Sequence, residues 1–183
     1  MKKEVLEVVN ERGEVLYEAT RSEIHSKGLL HKEIHVWLYT PDGKLVFQHR
    51  SKMKDTFPDK LDASVGGHVD IGESYEKAAL RECKEELGIE IEKMDDLIFL
   101  MTTITNSYDK ITHKINHARR NTYAYCYRKE INDLSVESEE SQGFVLCDIK
   151  SLSALSENEK EKFVPTLISD EYLPIYKKII SLL

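Results

Sequence analysis

Gly67-His-Val-Asp-Ile-Gly-Glu-Ser-Tyr-Glu-Lys-Ala-Ala-Leu-Arg-Glu-Cys-Lys-Glu-Glu-Leu-Gly-Ile89 is the stretch on which the reading of this chain turns. The adjacent Gly66 and Gly67 allow a tight turn or a close approach to a ligand. Ser74 is suited to cap a helix, with Lys77 instead of an acid at the reciprocal capping position. Nothing from there to Leu87 breaks a helix, and Gly88 is a natural stop. At about 100° per residue, Ala79, Leu80, Cys83 and Leu87 fall on one stripe of core-facing width. Glu82, Glu85 and Glu86 fall on an adjacent stripe. A glutamate-rich helix face is ordinarily just solvated. The alternative is that a positive charge sits among three carboxylates that otherwise repel one another. A hard divalent cation such as Mg²⁺ takes oxygen ligands and pairs with substrate phosphates.

Composition narrows the classes. A chain of 183 residues, 40% hydrophobic and 32% charged, suits one soluble globular domain over 1–183 with its own core. Met-Lys-Lys-Glu-Val at the start lacks the apolar run of a signal peptide, and no stretch has the length of a membrane span. Cys83, Cys126 and Cys147 match no zinc spacing, and their odd number argues against a disulfide framework. A reducing cytoplasm is the expected compartment. A net charge of −7 argues against general binding to a nucleic-acid polymer, while leaving room for a small phosphorylated substrate.

Outward from the central stretch, residues 4–9 and 14–19 read as a β-hairpin within an N-terminal extension, 1–28. That hairpin could pair in a homodimer; a monomer is equally consistent. Residues 18–28 are polar and carry His25. Residues 31–40 read as a core strand containing Trp37, and Pro41-Asp-Gly43 as a turn into a second strand, 44–50. A loop with basic character follows over 51–60, then a short strand over 61–65. Beyond the helix, 89–92 reads as a short strand or extension, 97–105 as a strand, 106–120 as a long polar loop and 122–127 as a strand. Residues 137–141 read as an acidic turn and 143–149 as a strand. From Leu152 the pattern turns helical, with Pro174 in the first turn of a terminal helix, so that 150–183 supplies covering helices. Strands, a central helix, then further strands and helices give an α/β (α+β) class, a mixed sheet with helices on its faces.

The spacing Gly67, five residues, Glu73, seven residues, then Arg81-Glu82-Cys83-Lys84-Glu85-Glu86-Leu87-Gly88-Ile89 resembles the Nudix box, the loop–helix–loop signature of the Nudix hydrolases, over 67–89. Cys83 stands where an aliphatic residue is usual, a mild change for a small hydrophobe. The resemblance implies an α/β/α sandwich, a divalent cofactor (Mg²⁺ or Mn²⁺) and hydrolysis of a small organic or nucleoside diphosphate. It implies Glu82, Glu85 and Glu86 as metal ligands with the Gly66 carbonyl beside them, and Arg81 paired with Glu73 to orient the cluster. The general base is implied as Glu82, or Glu139 or Glu140 before a late strand.

Residues 30–72 are similar to the isopentenyl-diphosphate isomerase branch of the same superfamily. His25, His31 and His68 fall where that branch holds a metal, and Arg50 and Lys54 before Phe57-Pro58 resemble its diphosphate-binding loop. The chain departs from it in three ways. Gly66 stands where the isomerases carry a catalytic cysteine. Ala118 and Arg120, with Arg119 between them, stand near their acidic residues. The full Arg-Glu-x-x-Glu-Glu run, usually lost there, is kept. Arg119 and Arg120 are either phosphate contacts or surface charges. The reading is a metal-dependent hydrolase on an isomerase-like scaffold. The alternatives are an isomerase-like enzyme, or a non-catalytic nucleotide-binding domain, which would be expected to have lost box carboxylates.

Overall fold

Strand β3, His31–Tyr39, shows why the sheet is two-sided. Ile34, Val36 and Leu38 point to one face, where they are fully buried with Ala78, Ala79, Cys83 and Leu87. Trp37 and Tyr39 point to the other, against Tyr172, Ile175, Tyr176 and Ile179. The period of two in a strand produces this division. The computed structural model describes residues 4–54, 56–136, 141–170 and 172–183. Around β3 stand β1 (Val5–Val9), β2 (Val15–Thr20), α1 (Arg21–Lys27), β4 (Lys44–Arg50), β5 (Leu61–Asp62), β6 (Val65–His68), α2 (Tyr75–Leu87), β7 (Ile98–Tyr108), β8 (Ile115–Cys126), β9 (Ser141–Asp148), α3 (Glu157–Lys160) and α4 (Leu173–Ile180). Helix α2 covers one face and α4 the other, giving the expected α/β/α layering around a mixed sheet.

The topology opens a wedge in this sheet. β3 runs parallel to β8 from His31↔Ala118 to Tyr39↔Cys126, and β8 is antiparallel to β7. β3 meets β4 only at Tyr39↔Leu45. Beyond that point the two diverge, β6 pairing with β3 and β5 with β4. Ser64, in the link between β5 and β6, stitches the fork: its hydroxyl accepts from the Leu38 N–H at 2.8 Å and donates to the Val46 carbonyl. β9 closes the far side of β4. The N-terminal hairpin folds with α1 into a small core of Leu6, Val8, Ala19 and Ile24.

Four stretches depart from, or add to, the sequence reading. Residues 21–27 form a helix, capped by the Thr20 hydroxyl and by Gly28 at φ 65°. Over 89–92, read as a short strand or extension, no strand forms and the chain runs as an extension. The long polar loop of 106–120 is absent; β7 continues to Tyr108 and β8 starts at Ile115. Asn116, Ala118 and Arg120 in this part of β8 supply no apolar alternation to reveal a strand. Beyond Leu152 the helices are short, with 3-10 turns at Ile149–Ala154 and Pro165–Ile168 before α4. In the acidic segment expected as a turn, 137–140 lie outside the described residues, and Ser141 already belongs to β9. Among the described residues no helix is long and apolar enough to cross a membrane.

Candidate active site

The wedge holds a cavity of about 400 Å³. Its walls come from the glutamates of α2, the loop after β4, β6, and the polar face of β3 and β8. Gly66 and Gly67 make this possible because the strand there is pressed from both sides. A Cβ on Gly67 would stand 2.3 Å from the Glu82 carboxyl carbon, and one on Gly66 would stand 3.2 Å from the His35 ring. Only glycine lets a carboxylate and an imidazole approach the backbone so closely from opposite faces.

Helix α2 starts at Ser74, whose hydroxyl accepts from the Lys77 N–H at 3.3 Å, and ends at Gly88 in the left-handed region. Arg81 is its hub. Its guanidinium donates to both oxygens of Glu73 at 3.2 and 3.0 Å, to Glu82 Oε1 at 2.8 Å, to Glu85 Oε2 at 3.1 Å and to the His68 carbonyl at 3.1 Å. Burial opposes ionisation of Glu73, but Arg81 and the Asp70 N–H hold its carboxyl below the usual range. Burial raises Glu82 to about 7 despite Arg81, with Glu85 adding to the rise. Glu86, 8% exposed, accepts one neutral hydrogen bond, from Gln48 Nε2 at 3.0 Å. Burial and then the charge of Glu82 raise it to about 8. Glu82 and Glu86 are thus crowded, desolvated acids whose carboxyls stay raised despite Arg81 and Lys54, the condition that a hard dication with oxygen ligands relieves.

A second cluster lies on the polar face of β3. His25 from α1, His31 from β3 and His68 from β6 bring ligand atoms within 4.8 Å of one another. Each ring nitrogen Nδ1 is engaged outward: His25 with the Ile115 carbonyl at 3.2 Å, His31 with the Leu29 carbonyl at 3.0 Å, His68 with Glu4 at 3.1 Å. Acceptors there fix the proton on Nδ1 and leave three Nε2 lone pairs converging, as in second-sphere-oriented metal histidines. Glu33 Oε1 stands 3.2 Å from His31 Nε2 and 3.9 Å from His68 Nε2. Burial and then the neighbouring His31 lower His25 to about 4, so this ring is neutral near pH 7. Three nitrogens and a carboxylate form a donor set suited to a softer dication than Mg²⁺.

The other expected residues divide. Lys54 lines the cavity. Arg50 also reaches it, yet its donors go to the Thr56 carbonyl at 2.7 Å, the Phe57 carbonyl at 3.1 Å and Asp62 at 2.7 Å. It therefore shapes the basic loop from within. Adjacent residues of a strand face opposite sides, and Arg119 and Arg120 separate accordingly. Arg119 donates to the Tyr75 hydroxyl at 3.0 Å and is not among the cavity residues. Arg120 is buried in the cavity wall, donating to Glu33 at 2.7 Å. Glu139 and Glu140 lie outside the described residues.

Glu33, His35, Gln48, Asp62 and Tyr172 were missed by the sequence reading. Their signal was partly present: His31, Glu33 and His35 recur every second residue in an otherwise apolar strand, so one face of it is polar. Burial and Arg120 push His35 down to about 3. Burial opposes the ionised form of Glu33, but the Arg120 guanidinium holds its carboxyl well below the usual range.

With this geometry in hand, the comparisons agree on the class. A NUDIX domain model matches residues 29–167. An uncharacterised Nudix hydrolase of Clostridium acetobutylicum is 33% identical over 162 residues, covering 87% of this chain and 77% of that protein. A Nudix hydrolase of Streptomyces coelicolor is 42% identical over 85 residues, 46% of this chain and 47% of that protein; this match spans about half the length of that relative. A crystal structure from Deinococcus radiodurans shares the fold at TM-score 0.68 and 24% identity, covering 96% of this chain and 98% of that one. The chain belongs to the Nudix family. It is an enzyme of the Nudix pyrophosphohydrolase class, a family that acts on small molecules with divalent metal ions.

Proposed function

We propose that this protein hydrolyses a small organic diphosphate by attack of water on phosphorus, with Glu82, Glu85, Glu86 and the Gly66 carbonyl holding Mg²⁺ or Mn²⁺. The observation that carries the reading is the placement of Glu82, Glu85 and Glu86 on one face of α2 at the cavity, with Glu86 buried, Glu82 half-buried and both carboxyls raised. A bound dication supplies charge neutralisation for phosphate oxygens and eases deprotonation of water. Arg81 holds Glu82 and Glu85 in place and is itself anchored by both oxygens of Glu73. Glu82 takes the proton of the attacking water, with Glu139 or Glu140 the other candidates for that base. Lys54 donates to the phosphate oxygens. Arg50 keeps the Lys54 loop folded against β5. His25, His31, His68 and Glu33 hold a second, softer cation.

The isomerase alternative draws on the convergent histidines. Against it stand Gly66, which has no side chain to move a proton, and Arg120 where acids are expected. The test is release of phosphate and pyrophosphate from a panel of diphosphates, isopentenyl diphosphate included, with Mg²⁺ or Mn²⁺. Metal-dependent release that disappears in Glu85→Gln supports the hydrolase. Isomer formation without release would overturn it.

A further inference from the structure

Among the described residues, the polar wall of the cavity opposite the α2 glutamates has a donor without an acceptor. Arg120 is 3% exposed; its Nε and Nη2 donate to Glu33 Oε2 at 3.2 and 2.7 Å, while its Nη1 is buried with no hydrogen-bond partner among the described residues. A buried guanidinium N–H left unsatisfied is costly, and Arg120 belongs to the cavity lining. A second donor stands beside it. His35 lies two residues from Glu33 on the same face of β3, and Glu33 pairs in register with Arg120. Trp37 Nε1, which can only donate, gives its proton to the Tyr172 hydroxyl oxygen at 3.1 Å. The same hydroxyl pairs with His35 Nδ1 at 2.8 Å, and in the tautomer in which the phenol donates to Nδ1 the imidazole proton sits on Nε2. That nitrogen faces the open side of Gly66, 3.3 Å from where a Cβ would stand.

We infer that Arg120 Nη1 and His35 Nε2 form a donor pair that receives an oxygen acceptor on the organic arm of the substrate. This rests on the diphosphate reading above and narrows it. The diphosphate lies toward the glutamates and Lys54, and the arm enters the wedge between β3 and β4. A hydrocarbon arm would leave Arg120 Nη1 buried and unpaired, whereas a carbonyl or carboxylate oxygen satisfies it. The substrate class is therefore an organic diphosphate with an oxygen-bearing arm, and a plain prenyl chain is selected against. Arg120 and His35 act as specificity-determining residues, outside the carboxylate cluster.

The experiment uses three non-hydrolysable alkyl methylenediphosphonates of equal length, with a mid-chain ketone, a terminal carboxylate or neither, titrated calorimetrically with Mn²⁺ present. The oxygen-bearing compounds should bind about 5- to 100-fold more tightly than the hydrocarbon, the scale set by an unsatisfied buried donor. The ketone and carboxylate arms separate a neutral from an anionic acceptor. Arg120→Met should reduce the preference to under threefold. Because that change strands the Glu33 carboxylate, Glu33→Gln combined with Arg120→Met provides a second variant, and the preference should shrink in it too. Equal or tighter binding of the hydrocarbon by the wild type, or a preference that survives in a folded variant, overturns the inference alone. No binding of any of the three overturns the diphosphate reading and this inference with it.

Discussion

Replacing Glu86 by Gln should stabilise the metal-free protein by an amount that grows as pH rises above about 4.5. Glu86 is buried beside Glu82, and its carboxyl titrates at about 8 in the fold, against an ordinary 4.5. Between those values the native state keeps a proton that the unfolded chain has released. Stability present below pH 4.5 is therefore lost as pH rises, at about 1.4 kcal/mol per pH unit, until the folded group ionises. From pH 5.5 to 7.5 the loss is about 3 kcal/mol. For a protein of this size that corresponds to roughly 5–10 °C in Tm. Glutamine fills the same space and still accepts the hydrogen bond from Gln48, while removing the titration. Calorimetric melting in a chelator at both pH values should give a higher Tm for Glu86→Gln at both, with a gap wider by about 3 kcal/mol at pH 7.5 than at pH 5.5. Glu82, which titrates at about 7, drives a parallel decline that persists in both proteins. Saturating Mn²⁺ should close the gap by stabilising the wild type more. A variant that melts lower at pH 7.5, or a difference independent of pH, would refute the reasoning.

Gly67→Ala should cut kcat/KM by about 10²-fold or more, because its Cβ would stand 2.3 Å from the Glu82 carboxyl and displace it; steady-state kinetics on the folded variant checks this. Arg81→Lys should lower metal affinity or activity about 10- to 100-fold, since one ammonium cannot span Glu73, Glu82 and Glu85 as the guanidinium does; Mn²⁺ titration with parallel rates reads it. His31→Ala should abolish binding of a softer ion such as Zn²⁺ at the histidines, seen by calorimetry, while Mg²⁺-supported hydrolysis persists in reduced or full measure; unchanged Zn²⁺ stoichiometry would remove the histidines from the metal account.

The central helix was legible because its signals were local: Ser74, Gly88, the apolar spacing and the three glutamates sit within a few turns. The strand order was not, since the fork between β3 and β4 depends on Ser64 bonding to both strands from a distance in sequence. Helix α1 was overlooked because seven residues give too little periodicity, although Thr20 and Gly28 marked both ends. Arg119 and Arg120 looked alike in a presumed loop and acquired opposite surroundings only once a strand placed them on opposite faces. Arg50 was legible as basic, but its commitment to Thr56, Phe57 and Asp62 depends on how the loop returns to β5. Tyr172 was beyond sequence reasoning as a partner of His35, since 137 positions separate them.

The most direct test of water attack on phosphorus is hydrolysis of the best diphosphate substrate in H₂¹⁸O with Mg²⁺ or Mn²⁺, followed by mass spectrometry of the products. The account predicts one ¹⁸O in a phosphate-containing product, dependent on metal and lost in Glu85→Gln. Products whose phosphorus carries no solvent oxygen, or an isomerised substrate with its diphosphate intact, would contradict it.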